Sequence, residues 1–294
     1  MSLQLPTRVR SAGLIALGSA GMLLLGSCST AETDSIHRLA QPAGVTDRTD
    51  GIHGLWMGSW LAAMIVGVVV WGLIGYACVK FRRRRDDEIP IQTRYNLPIE
   101  ILYTVAPVVM VLVFFFFTVT VQNDVFADAS ESGNADHTVT VVGQQWSWTF
   151  NYDKDSALDG STTVYDGGTT ADRPTLYLPV DETVEIQLRS PDVIHSFWVP
   201  AFLFKMDVIP GRVHKFQATP TVIGEYRGKC YELCGTYHSR MLFNLRVVSQ
   251  ADYDTYLADL ADQGFVADEP LLGGADATTQ AGLGEDDDQE GSQE

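Results

Sequence analysis

Two long apolar runs, from about Leu55 to Val79 and from about Ile99 to Val121, limit what this chain can fold into more than any other feature. Each is long enough to cross the hydrocarbon core of a bilayer, which takes roughly 20 apolar residues as a helix. Within lipid the backbone has to satisfy its own hydrogen bonds, so each run is expected to be helical. Between them stands Lys80-Phe81-Arg82-Arg83-Arg84-Arg85. Cationic side chains beside a span stay on the cytoplasmic side, so the pair is expected to form a hairpin with its turn inside and both ends outside. Trp56 and Trp60 lie near the outer end of the first run, where indoles favour the interface. Everything after about Gln122 is then extracytoplasmic. Glu100 opens the second run and Pro107 follows within its first half. A carboxylate there either complements the positive end of the helix dipole or sits partnered and wet at a functional position. These residues alone leave both roles open.

Residues 1–27 read as an export signal. Arg8 and Arg10 precede an apolar stretch, Gly13 to Gly26, that is short for a membrane span. It closes with Leu25-Gly26-Ser27-Cys28, which resembles a lipoprotein signal box and implies that Cys28 carries lipid as the first mature residue. Residues 28–54 form a polar exported linker. The formal net charge of −17 argues against a nucleic-acid partner and for a basic partner or simple solubility. Four cysteines in 294 residues do not make a disulfide framework.

After the second run the pattern changes from helix to strand. Thr138–Val142, Ser147–Phe150, Thr175–Pro179, Thr183–Leu188, Val213–Ala218, Glu225–Arg227 and Leu242–Val248 are apolar, β-branched or alternating, and turn residues separate them. Short strands of this kind predict an all-β Greek-key sandwich or barrel. Asp153 to Pro174 is rich in Gly, Ser, Thr and Asp and is expected to be a long loop. Ser249 is placed to cap a surface helix over 250–266, with Tyr253, Tyr256, Leu257 and Leu260 on one side. The acidic, Gly-rich tail over 267–294 cannot bury a core and is expected to lack fixed structure.

The chemistry is concentrated in Gly228 to Phe243, GKCYELCGTYHSRMLF. Cys230, Cys234, His238 and Met241 offer two thiolates, an imidazole and a thioether, and His195 lies upstream in an apolar segment as a fifth candidate. Soft and borderline donors of this kind suit copper. One cysteine would suggest a mononuclear site, whereas two thiolates can bridge a pair of metals. A closed zinc site would favour Cys and His without Met. A redox disulfide would favour Cys-x-x-Cys over the spacing here.

The pattern Cys230-x-Glu232-x-Cys234-x3-His238-x2-Met241, with His195 upstream, resembles the binuclear copper (CuA) loop of cytochrome c oxidase subunit II. Three further segments resemble that family in the same order: Gly143-Gln144-Gln145-Trp146-Ser147-Trp148, Asp192 to Phe197, and Asp207 to Arg212. The resemblance covers about Trp56 to Val248. It implies a two-helix transmembrane hairpin (55–121) followed by a cupredoxin domain (122–249), the Greek-key barrel whose metal loop joins its last two strands. It further implies that Cys230 and Cys234 bridge two coppers, that His195 and His238 each terminate one, that Met241 binds weakly, and that Glu232 lends its backbone carbonyl. The Glu232 carboxylate would bind a magnesium ion shared with subunit I. Trp146 would be where electrons arrive from a c-type cytochrome, with Asp207 among the docking carboxylates. Glu100 would stand at the entrance of a proton path into subunit I. Ser147 departs from the aromatic that many members carry there.

The function so implied is electron uptake for a terminal aa3-type oxidase in a bacterial cell membrane. Its partners would be oxidase subunits I and III, membrane lipid and a c-type donor, whether free or held in a respiratory supercomplex. The alternative is a membrane-anchored copper-binding or copper-delivery lipoprotein, which accounts for the ligands but not for Glu100, Trp146 or the two spans. A nitrous oxide reductase fragment would need a His-rich catalytic domain that six histidines cannot supply. A quinol oxidase subunit would lack the copper ligands.

Overall fold

The apolar runs form α1, Thr49–Lys80, and α2, Leu97–Val125. A computed structural model describes residues 35–85, 89, 92–126, 135–158 and 160–273. The signal segment with Cys28, and the tail beyond Gly273, lie outside the described residues. Both helices exceed the apolar stretches: α1 starts before Leu55 and α2 ends beyond Val121. Polar contacts hold the added turns. Arg48 pairs with Asp124 at 2.8 Å, which ties the start of α1 to the end of α2. The strand-like segment before α1 is bound to the β domain through Val45 N–H to Ala201 O (3.1 Å), Asp47 N–H to Thr219 O (3.0 Å) and a bridge between Thr46 and Pro220. Between those ends the apolar side chains of both helices are exposed, as suits lipid or neighbouring helices. Both helices are thus long and apolar enough to cross a membrane.

The remainder is a two-sheet barrel. Its strands are β1 (His137–Gln144), β2 (Ser147–Tyr152), β3 (Thr163–Gly167), β4 (Thr175–Pro179), β5 (Val184–Arg189), β6 (His195–Trp198), β7 (Lys205–Val208), β8 (His214–Ala218), β9 (Gly224–Cys230), β10 (Leu242–Val248) and β11 (Val266–Ala267). One sheet has the order β11-β3-β2-β1-β5-β8 and the other β4-β10-β9-β6-β7. β1 runs parallel to β5 and β4 parallel to β10, with Val139 opposite Ile186 and Leu245 opposite Leu176. Such parallel neighbours mark crossings between the sheets, which hairpins alone would not produce.

Alternate side chains of both sheets meet in a core of Val139, Val141, Leu176, Ile186 and Leu188 around an aromatic cluster. Phe197 stacks on Phe243 at 5.0 Å, and the edge of Trp148 meets Phe243 at 5.5 Å. Gly228 is required there, because a Cβ on it would run into the Phe243 ring. The cluster forms the floor on which the metal loop rests.

Three segments differ from the sequence expectation. The stretch 153–174 is not a simple loop: Thr163–Gly167 adds β3 to the first sheet, and Asp155 is buried. Its Thr163-Val164-Tyr165 has strand character that the surrounding Gly, Ser and Asp obscure. Helix α3, Gln250–Asp262, is capped by Ser249 through the Asp252 N–H (3.2 Å) and stops short of residue 266. The chain then stays on the barrel into the acidic segment: β11 pairs with β3, and Leu271 N–H reaches the buried Asn151 side chain at 2.8 Å. Backbone hydrogen bonds to a sheet edge and to Asn151 do not require the apolar content that the composition lacks.

Candidate metal centre

β6 and β9 lie side by side, with Phe197 opposite Cys230. This pairing carries His195 from the start of β6 to the start of the metal loop between β9 and β10. Cys230 is the last residue of β9, and its N–H is held by Met241 O at 3.0 Å. The loop therefore closes on itself and turns its donors inward. Cys230 and Cys234 lie 3.9 Å apart, sulfur to sulfur. The His195 Nδ1 is 3.8 Å from the Cys230 sulfur, and the His238 Nδ1 is 3.6 Å from the Cys234 sulfur. The Met241 sulfur is 3.7 Å from that of Cys234, and the Glu232 carbonyl oxygen is 3.3 Å from that of Cys230. His195, Cys230, Cys234 and Met241 are buried, while His238 is half-buried. All six sequence-predicted ligands thus converge, and their donor atoms face one another.

Two thiols so close cannot both ionise freely. The hydrogen bond from Cys234 stabilises a Cys230 thiolate and pushes its pKa far down, with His195 adding to the effect. The same bond, reinforced by burial, pushes Cys234 up. A cation between the sulfurs removes that conflict, and this fits a metal-binding role. Soft sulfur donors with two imidazoles and a carbonyl are the chemistry of a copper site.

Asp192 buttresses His195. Its carboxylate accepts from His195 Nε2 at 2.8 Å and from the Gln145 N–H at 2.7 Å. Burial pulls the His195 pKa down, but the hydrogen bonds to Asp192 and Cys230 outweigh it and the net shift is upward.

Trp146 lies in the tight turn between β1 and β2, just ahead of the strand that begins at Ser147. Its Nε1–H donates to the Cys234 carbonyl at 3.3 Å, and its ring meets Tyr237 edge-on at 5.1 Å. The Gln145 amide donates to the same carbonyl. Gly235 makes this approach possible: its φ is +126°, and a Cβ there would press on Gln145 Nε2 and Trp146 Nε1 at 3.0 and 3.1 Å.

The other expected residues lie elsewhere. Glu100 is in the first turn of α2, and its carboxylate accepts from the Asn96 N–H at 2.9 Å, a helix-capping arrangement. Asp207 lies on β7, half-buried, in a cleft with Phe126, Lys205, Met206, Ile209, His214 and Lys215, and not among the residues around Trp146. The Glu232 side chain is exposed.

Sequence reasoning gave no role to Gln145, Asp192 or Gly235. Asp192 stands three residues before His195, close enough in sequence for its carboxylate to take the second ring nitrogen, as metal-binding histidines commonly require. Gln145 and Gly235 have no such signal, because their function depends on a contact between segments about 90 residues apart in sequence, a separation that β pairing routinely bridges.

A β barrel beside two helices long and apolar enough to cross a membrane, holding sulfur and imidazole donors just under a half-buried aromatic residue, defines the class: a protein whose barrel carries a soft-metal site suited to copper. A family profile described as cytochrome c oxidase subunit II, periplasmic domain, matches residues 137–248. A probable cytochrome c oxidase subunit 2 of Streptomyces avermitilis is 44% identical over 293 residues, covering 88% of this chain and 90% of that one. The cytochrome c oxidase subunit 2 of Mycobacterium bovis is 33% identical over 307 residues, covering 86% and 83%. Among solved structures, the periplasmic domain of subunit II of cytochrome oxidase from Bradyrhizobium japonicum is 29% identical and covers 44% of this chain and 96% of its own, with a TM-score of 0.39. The chain belongs to the cytochrome c oxidase subunit II family and is a component of a haem-copper oxidase, an oxidoreductase.

Proposed function

We propose that the loop holds a binuclear CuA centre and that the chain passes electrons from a c-type cytochrome through it towards haem in subunit I. The observation that carries this is the convergence of two cysteine sulfurs 3.9 Å apart with one imidazole nitrogen beside each. When bound, the copper pair shares a single unpaired electron across both thiolates, so that gain or loss of an electron moves the ligands little.

The chain's own residues do the rest. Cys230 and Cys234 would hold the coppers through their thiolates, His195 and His238 through their imidazoles, Met241 more weakly through its thioether and Glu232 through its backbone carbonyl. Trp146 caps the loop: its indole N–H touches the carbonyl of a ligand residue, and its half-buried ring faces outward beside Tyr237. It therefore provides a direct contact from surface to ligand. The exposed Glu232 carboxylate is free to bind magnesium together with subunit I, since hard cations take oxygen ligands. The basic loop after α1 supports an extracytoplasmic barrel, because cationic side chains beside a span stay on the cytoplasmic side. Glu100 serves the proton path from its place at the α2 N-terminus, with oxidase subunits I and III covering the exposed helix faces. Asp207 contributes to donor docking from its cleft on β7.

Replacing Trp146 by Phe tests electron uptake. The ring survives and the N–H is lost, so copper content and spectrum stay normal while oxidation of the c-type donor slows. Normal transfer in fully metallated Trp146→Phe oxidase removes Trp146 from the route.

A further inference from the structure

We propose that Asp192 is a positioning residue that holds a copper ligand and the electron-uptake turn in one register. This rests on the copper reading above. Each carboxylate oxygen reaches one part of the site. Oδ1 accepts from His195 Nε2 at 2.8 Å, from the Val193 N–H at 2.6 Å and from the Ser190 hydroxyl at 3.1 Å. Oδ2 accepts from the Gln145 N–H at 2.7 Å.

The first arm decides which nitrogen of His195 is open. A neutral imidazole has one N–H and one lone pair, and an ionised carboxylate only accepts. In the neutral, ligating form of the ring Nε2 therefore carries the hydrogen, and the Nδ1 lone pair faces the Cys230 sulfur 3.8 Å away, where a metal would lie. His195 is fully buried, so water offers no alternative partner.

The second arm reaches the turn that carries Trp146. Gln145 is held by Asp192 through its backbone and by the Cys234 carbonyl through its side chain, and Trp146 donates to that same carbonyl. Val193 and Ser190 restrain the carboxylate on its outer side, so it cannot swing without releasing one arm. Asp192 thus links the donor-facing turn to His195, while the Cys234 carbonyl links it to the other side of the centre.

The two arms predict different outcomes for two substitutions in the assembled oxidase. An amide has one acceptor and one donor end. In Asp192→Asn the carbonyl keeps the three donors on the His195 side, and the NH2 is left facing the Gln145 N–H. Copper content, the paramagnetic hyperfine pattern and reduction by ascorbate should then match the wild type, while reduction by a c-type cytochrome falls on the order of tenfold. Asp192→Ala removes both arms. The hyperfine pattern should shift, and resistance of the copper to a chelator should fall on the order of 10- to 100-fold. If Asp192 only stabilises the fold, both variants lower the melting temperature while folded, metallated enzyme keeps the wild-type hyperfine pattern, chelator resistance and donor rate. That result overturns the assignment and leaves the copper reading intact. A wild-type enzyme without a two-copper signal overturns the parent reading and this assignment together.

Discussion

The barrel contains two buried histidines, each hydrogen-bonded to an aspartate, and they differ in what the other ring nitrogen does. His195 gives Nε2 to Asp192 at 2.8 Å and turns Nδ1 to a sulfur. His137, at the opposite end of β1 from the metal loop, gives Nδ1 to Asp155 at 2.7 Å and Nε2 to Glu182 at 3.3 Å, with the Tyr253 ring against its face. Burial and a carboxylate partner are common to both. The open lone pair is what suits one to take up a metal, while the closed set of the other pins α3 and the 156–158 turn to β1. The Tyr253 hydroxyl completes that pin through Asp155 at 3.0 Å. One end of the barrel is built to accept a metal and the other to be saturated without one.

The largest break in this comparison is Cys230→Ser. A hydroxyl is a poor soft bridge, so the two-copper signal should vanish while circular dichroism shows an unchanged barrel. Next comes the saturated end. Asp155→Ala leaves His137 and the Tyr253 hydroxyl without their partner and should cost about 3–5 kcal/mol in a denaturant melt. Copper content of the folded fraction should be unchanged. Gly235→Ala should have a smaller effect on stability, about 1–3 kcal/mol from the positive φ and the crowded Cβ. It should slow donor oxidation, because Trp146 and Gln145 are displaced from the Cys234 carbonyl.

The smallest expected effect is a pH slope. Burial favours neutral His137, but the hydrogen bonds and charges of Asp155 and Glu182 outweigh it and raise its pKa above 6.5. Burial also favours protonated Asp155, but hydrogen bonds from His137, the Ala157 N–H and Tyr253 outweigh it and lower its pKa below 3.8. Charged His137 then contributes stability that is fully present below pH 6.5 and is lost as pH rises through the raised value. Ionised Asp155 contributes stability that is present above pH 3.8 and is lost as pH falls through the lowered value. The difference in unfolding free energy between wild type and His137→Gln should accordingly be greatest between those limits and shrink on the alkaline side. A difference that does not change with pH would show that His137 is held neutral.

Much of this arrangement was legible in the chain. Two apolar runs and a basic turn dictated the hairpin, because lipid admits few alternatives. The convergence of the candidate donors was legible because four of these side chains stand within one loop and copper chemistry prefers their types. What could not be read depends on contacts across the fold. Asp155 sits in a Gly-, Ser- and Asp-rich stretch that resembles any surface loop, and only folding brings it to His137. Trp146 falls between two strand-forming runs, so a turn there is legible, but its contact with the Cys234 carbonyl joins segments far apart in sequence and leaves no mark in local propensity. Leu271 is held by backbone hydrogen bonds to Asn151, which composition does not reveal.

The central claim is that the open end of the barrel takes two coppers and the closed end none. Copper analysis of the full chain loaded with copper under mild reductant, with the paramagnetic spectrum of the same sample, tests it most directly. Two coppers per chain with hyperfine structure from two equivalent nuclei, unchanged in His137→Gln and lost in Cys230→Ser, is the predicted result. One copper per chain, a single-nucleus spectrum, or copper lost with His137 would contradict it.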